Sequence, residues 1–120
     1  MVNRLFKPED NINEDYCVSI YDGSYDFYRA VLNSFVKEGK KLSSEMNEKY
    51  NAEDVEGYRI IVHGLKSLGG SVGAEEFRNI CSESNELIKA GEWAKAQAMH
   101  PTVFKALNDL ITLIETRLQN

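Results

Sequence analysis

With 120 residues and a formal net charge of −5, the chain has room for one domain and little more. Its 42% hydrophobic and 28% charged residues suit a globular fold, and two prolines among abundant Glu, Lys, Leu and Ala favour helix. The acidic balance, without a Lys/Arg block, argues against nucleic acid and against an anionic membrane surface as partners, and no apolar run approaches the ~20 residues that span a bilayer.

Residues 1–12 are polar and aperiodic, which reads as a loose arm; MVNRLFKPEDNINED holds no apolar signal-peptide core. Asn13-Glu-Asp-Tyr16 starts a short helix that stops before the turn signal Asp22-Gly23. Cys17 and Cys81 stand far apart and outside any CxxC or Cys/His cluster, the usage expected of a reduced, cytoplasmic chain.

Ser24 is a good N-cap for a long helix in which Phe27, Tyr28, Val31, Leu32, Phe35 and Val36 recur at steps of three and four, continued by Leu42 and Met46. Gly39 weakens its middle, and Asn51 is a reasonable break. A third helix is expected from about Glu53 to Ser71, ended by Gly73. A fourth, from about Ala74 to Ala90, opens with Glu75 and Glu76 at its positive end and closes at Gly91. Phe77, Ile80, Cys81, Ser84, Leu87 and Ile88 form its apolar face. Trp93, Ala94 and Ala98 suit a short turn, after which Pro101 starts the last helix, carrying Val103, Leu107, Leu110, Ile111, Ile114 and Leu118. No segment alternates with period two. The expected architecture is all-α: a single domain over 1–120, an antiparallel four-helix bundle over about 24–118 with a short N-terminal extra helix.

The third helix carries a residue that does not belong to the core. Turning ~100° per residue from His63 gathers Ile61, Leu65, Leu68 and Val72 on the far side, flanked by Tyr58 and Gly69. Glu56, Arg59, Ile60, Lys66, Ser67 and Gly70 share the histidine's own side. His63 therefore points outward from mid-helix. Ser67 and Gly70, one and two turns on, clear space beside the imidazole, and a helix loses about 1 kcal/mol for each Gly relative to Ala. Such glycines make sense where another molecule's backbone must come close. Lys66, three residues on, is a neighbour on the same face.

The stretch His63 to Ala74, HGLKSLGGSVGA, resembles the signature of histidine phosphotransfer domains, roughly H-x-L-K-G, then small residues, then G-A before the next helix. His63, Leu65, Lys66, Gly73 and Ala74 fall on it in register, Tyr58-Arg-Ile-Ile-Val62 is similar to the family's lead-in, and Ser67 departs from the usual Gly. More weakly, Ile12 to Val36 is similar to the lead-in and first bundle helix of such domains in hybrid sensor kinases.

The resemblance implies a phosphocarrier rather than an enzyme with its own kinase domain. His63 would accept a phosphoryl group from a receiver-domain aspartate and pass it to another, with Lys66 offsetting the charge, and Arg59, Ile60, Ser67 and Gly70 would meet the receiver. It implies no cofactor and no metal here, magnesium belonging to the receiver, and the default is a monomer. A binding-only adaptor that docks receivers without being phosphorylated is the competing reading. A kinase's own dimerisation domain fits less well: Gly64 replaces the usual charged residue after the histidine, and no ATP-binding domain follows. His100, beside Pro101 in the expected break, has no ligand spacing to His63, and no base–nucleophile–orienter set of a hydrolase is readable.

Overall fold

The computed structural model describes residues 4–119, and its described secondary structure is entirely helical. A 3₁₀ turn at Pro8–Asp10 precedes α1 (Glu14–Ile20), α2 (Tyr25–Asn51), α3 (Val55–Val72), α4 (Glu75–Lys89) and α5 (Trp93–Leu118). α2, α3, α4 and α5 form a closed antiparallel ring in which each packs on the two beside it, and α1 lies across α2 and α3. At 1.5 Å per residue the 27 residues of α2 run about 40 Å, most of the molecule's 49 Å length.

Local chemistry sets most boundaries. Ser24 Oγ accepts the Phe27 N–H at 3.0 Å to open α2. Asp54 caps α3 through the Gly57 N–H at 3.0 Å, and a Cβ on Gly57 would sit 2.5 Å from Asp54 Oδ2. Gly73, at φ +86°, closes α3 in the left-handed region, with the Ala74 N–H returning to the Gly69 carbonyl at 2.9 Å.

Tyr28, Leu32, Phe35 and Met46 of α2 fill the core against Tyr58, Val62, Leu65 and Val72 of α3, Phe77 and Cys81 of α4, and Val103, Leu107 and Ile114 of α5. Each such fully buried side chain contributes about 1.5–3 kcal/mol relative to exposure. Gly39 is buried where a Cβ would come 3.1 Å from Ile111 Cδ1, so it marks the close crossing of α2 and α5 rather than a weak point. Gly69 has the same role between α3 and α4, with Phe77 Cδ2 at 2.8 Å from the missing Cβ.

Three expectations are corrected. The arm is packed over residues 4–12: Phe6 is buried on Tyr28, and the buried Glu14 carboxylate accepts the N–H groups of Leu5 and Phe6 at 2.8 and 3.1 Å and the Tyr25 hydroxyl at 2.9 Å. Asp10 takes both arms of the Arg117 guanidinium at 2.8 and 3.0 Å, which holds its carboxyl below the usual range. Residues 1–3 of that arm lie outside the described residues. Pro101 does not start a helix, because α5 runs unbroken from Trp93. A proline inside a helix costs ~3 kcal/mol, yet Ala96, His100, Val103 and Leu107 form one buried stripe across it, and burying that stripe offsets the loss. Phe27, placed by its spacing on the buried face of α2, is 54% exposed, since the ring packs on Tyr21 at the bundle's end.

Candidate functional site

His63 sits at the middle of α3, exposed, and makes no hydrogen bond among the described residues. The helix beneath it is held from three directions. Gly69 closes on Phe77 of α4, while the Tyr28 and Tyr21 hydroxyls donate to the Val72 and Ser71 carbonyls, each at 2.9 Å. The Asn13 N–H donates to the Gly73 carbonyl at 2.9 Å, and a Cβ on Gly73 would lie 2.8 Å from the Asn13 carbonyl oxygen. The last carbonyls of α3 and of its cap Gly73, which have no partner within the helix, thus find donors at the two ends of α1 and in α2.

Around His63 the face divides. At ~100° per residue, Arg59 and Lys66 fall to one side of the histidine by roughly 40° and 60°, and Ser67 and Ile60 fall to the other by the same amounts. Gly69 and Gly70, which meet Phe77 and Arg78, lie on the Arg59/Lys66 side, so that flank borders α4. Ser71, which meets Tyr21, lies on the other side, so that flank borders α1 and the start of α2.

The α4 flank is cationic. Lys66 is half-buried and makes no ion pair among the described residues. Arg59 holds Glu56 with two hydrogen bonds, Nη2 to Oε1 at 2.6 Å and Nε to Oε2 at 3.1 Å, and this guanidinium keeps the Glu56 carboxyl below the usual range. Arg78 is paired with Glu75 at 3.4 Å, and its Cδ lies 3.4 Å from where a Cβ on Gly70 would be. The space that Gly70 leaves is therefore filled by this chain's own arginine, a neighbour from another helix that no spacing within α3 could reveal.

The other flank is apolar and open. Ile60 is 59% exposed. Gly64, next to His63, has nothing within 4 Å of a built Cβ, so the bare ground beside the imidazole is here rather than at Gly70. Beyond it Tyr16 and Ile20 of α1 and Phe27 of α2 are exposed, the last two lining a shallow cleft with Tyr21, Asp22 and Ser24. Tyr16 and Ile20 were legible as an i, i+4 pair on a short helix; the packing of that helix against the end of α3 was not.

His100 has no share in this face. It is buried, stacked on Tyr50 with ring centroids 3.9 Å apart, and its Nδ1 and Nε2 lie 2.8 Å from Tyr58 Oη and 3.3 Å from Asn47 Oδ1. A proton on Nε2 satisfies both contacts, with the Tyr58 hydroxyl donating to Nδ1. Burial lowers the His100 pKa below the ordinary histidine value and pushes the Cys81 thiol up to about 12. Among the described residues no three His, Cys, Asp or Glu side chains gather as a metal site, and no helix is long and apolar enough to cross a membrane.

A family model described as the Hpt domain matches residues 30–117. The chain is 20% identical over 113 residues to the phosphorelay intermediate protein rdeA of Dictyostelium discoideum, covering 94% of this chain and 44% of that one. It thus spans less than half the length of that curated relative. The crystal structure of histidine-containing phosphotransfer protein B (HptB) from Pseudomonas aeruginosa PAO1 superposes with a TM-score of 0.78 at 20% identity, covering 91% of this chain and 95% of that one. At that identity the likeness is one of fold.

Proposed function

From the premise that the chain belongs to the Hpt domain family, we propose that it is a phosphocarrier whose acceptor is His63. The observation that carries this reading is an exposed imidazole with no hydrogen-bond partner among the described residues, in mid-helix on a helix braced at its far end. Nε2 attacks the phosphorus of a receiver's aspartyl phosphate. The P–N bond forms as the P–O bond breaks, the aspartate carboxylate leaves with the electron pair, and the ring keeps its proton on Nδ1. A second receiver's aspartate takes the group by the reverse step.

Such transfer depends on positioning and charge neutralisation, so few residues are needed. Lys66 stands one turn beyond His63, and side chains on a helix lean toward its N-terminus, which carries the ammonium toward the imidazole. It neutralises the transferred phosphoryl. The receiver's backbone approaches over Gly64 and Ser67. Ile60, with Tyr16, Ile20 and Phe27, gives it apolar ground, while Arg59 and the Arg78 side chain over Gly70 face its acidic groups. Magnesium stays with the receiver, and no ATP-dependent step occurs on this chain.

Incubation with a phosphorylated receiver tests the reading. Acid-labile label should appear on the wild type and be absent from His63→Gln. Receiver binding without label, across a panel of receivers, would instead favour the adaptor, and label persisting in His63→Gln would move the acceptor elsewhere.

A further inference from the structure

The Glu56–Arg59 pair stands on the His63 face, and its geometry bears on what a phosphorylated His63 would meet. Arg59 is one turn before His63, a spacing that puts their Cβ atoms about 5–6 Å apart. The His63 side chain leans toward the N-terminus, so a group added to Nε2 extends over the turn that holds Arg59. The guanidinium there is already presented as a fork, with two nitrogens engaged by two carboxylate oxygens at 2.6 and 3.1 Å. A phosphoryl group offers the same fork three oxygens and a larger negative charge than a carboxylate. The carboxylate holding it is 67% exposed, in a surface ion pair of the kind that exchanges partners at little cost.

We propose that Glu56 is a placeholder for the phosphoryl group: when His63 is phosphorylated, Arg59 leaves Glu56 and pairs with the phosphoryl oxygens, while the Glu56 carboxylate turns out to solvent. The proposal rests on His63 being the acceptor. It makes Arg59 a ligand of the phosphorylated state alone and gives Glu56 a positioning role, keeping the arginine extended along the helix until it is needed. Lys66 then meets the phosphoryl from the C-terminal side and Arg59 from the N-terminal side. The unphosphorylated face shows a partner one fewer free cation than the sequence implies.

The test needs no receiver. Phosphoramidate phosphorylates histidine chemically: the P–N bond to the amine breaks, ammonia leaves, and the new P–N bond forms at the imidazole. The wild-type protein and the Arg59→Ala, Arg59→Lys and Glu56→Gln variants would be labelled in this way, and the titration of the phosphoimidazole followed by its 31P chemical shift. Arg59→Ala should raise the proton affinity of the phosphoimidazole about threefold, by loss of a neighbouring cation, and Arg59→Lys should restore most of that change. Glu56→Gln should leave it nearly unmoved, because in the phosphorylated protein the carboxylate has already turned out to solvent. The rescue by Arg59→Lys separates loss of the charge from loss of helix. An unchanged midpoint in Arg59→Ala, or a shift in Glu56→Gln as large as that in Arg59→Ala, would overturn the placeholder and leave the carrier standing. A folded wild type that takes no label at His63 would overturn both.

Discussion

His63 and His100 are the chain's two histidines, both inside long helices, and the bundle treats them in opposite ways. His63 is exposed and has no hydrogen-bond partner among the described residues; its neighbours include the small Gly64 and Ser67 and the charged Arg59 and Lys66. His100 is 6% exposed, has a contact at each ring nitrogen, and is stacked against an aromatic ring. The difference separates two uses of one side chain. An imidazole that reacts needs a free nitrogen and room for what it will carry. One that cements a core needs its nitrogens satisfied, since an unmet buried polar group costs about 1–3 kcal/mol.

The sharpest way to break the contrast is to exchange losses. His63→Gln should abolish acceptance of label, a fall of at least about a thousandfold if the ring is the only acceptor, with the thermal midpoint unmoved because an exposed residue away from any cap changes stability by under ~0.5 kcal/mol. His100→Ala should do the reverse. It opens a cavity beside Tyr50 and strands the Tyr58 hydroxyl, so urea denaturation should show a loss of about 2–4 kcal/mol while His63 still accepts label. A variant in which the two losses travel together would show that the histidines are coupled through α3.

The α3–α4 seam should come next. Gly69→Ala drives a Cβ to 2.8 Å from Phe77 Cδ2, and overpacking of this kind costs about 1–3 kcal/mol. A smaller effect should follow from pH. The His100 pKa is lowered by burial, so the neutral ring is favoured by the folded state. Its contribution is fully present above the ordinary value of 6.5 and is lost as pH falls from there through the lower folded value. Stability should therefore drop on acidification below about 6.5 in the wild type, and His100→Gln should flatten that slope. The smallest change is a gain: Gly64→Ala meets nothing within 4 Å and should stabilise α3 by up to about 1 kcal/mol, while slowing transfer from receivers by filling the bare ground beside His63.

The contrast also marks what could be read from the chain alone. α2, α3 and α4 were legible because their signals are local: Ser24 as a cap, Gly73 and Gly91 as stops, and apolar residues at helical spacing. His63, Arg59, Ile60, Lys66 and Ser67 could be placed on one face by angle, which needs only the helix. What failed depended on other elements. The break expected at Pro101 was a fair reading of one residue, but the buried stripe that crosses it is set by the other helices α5 packs against. Glu14 opens α1 and is the buried acceptor that orders the arm, a role no local signal carries. Gly70 was read as clearance for a partner, and Arg78, eight residues later on another helix, occupies it.

The tie between α1 and the end of α3 bears on where the unit can be divided. The family match begins at residue 30, yet Asn13, Tyr21 and Tyr28, which donate to the Gly73, Ser71 and Val72 carbonyls, all precede it. A chain begun at residue 30 would keep every α3 residue of the His63 face and lose all three donors. Its acceptor helix would fray from the Gly73 end, and amide exchange there would quicken first. The span matched by the family model and the folding unit are thus of different lengths, and α1 belongs to the second.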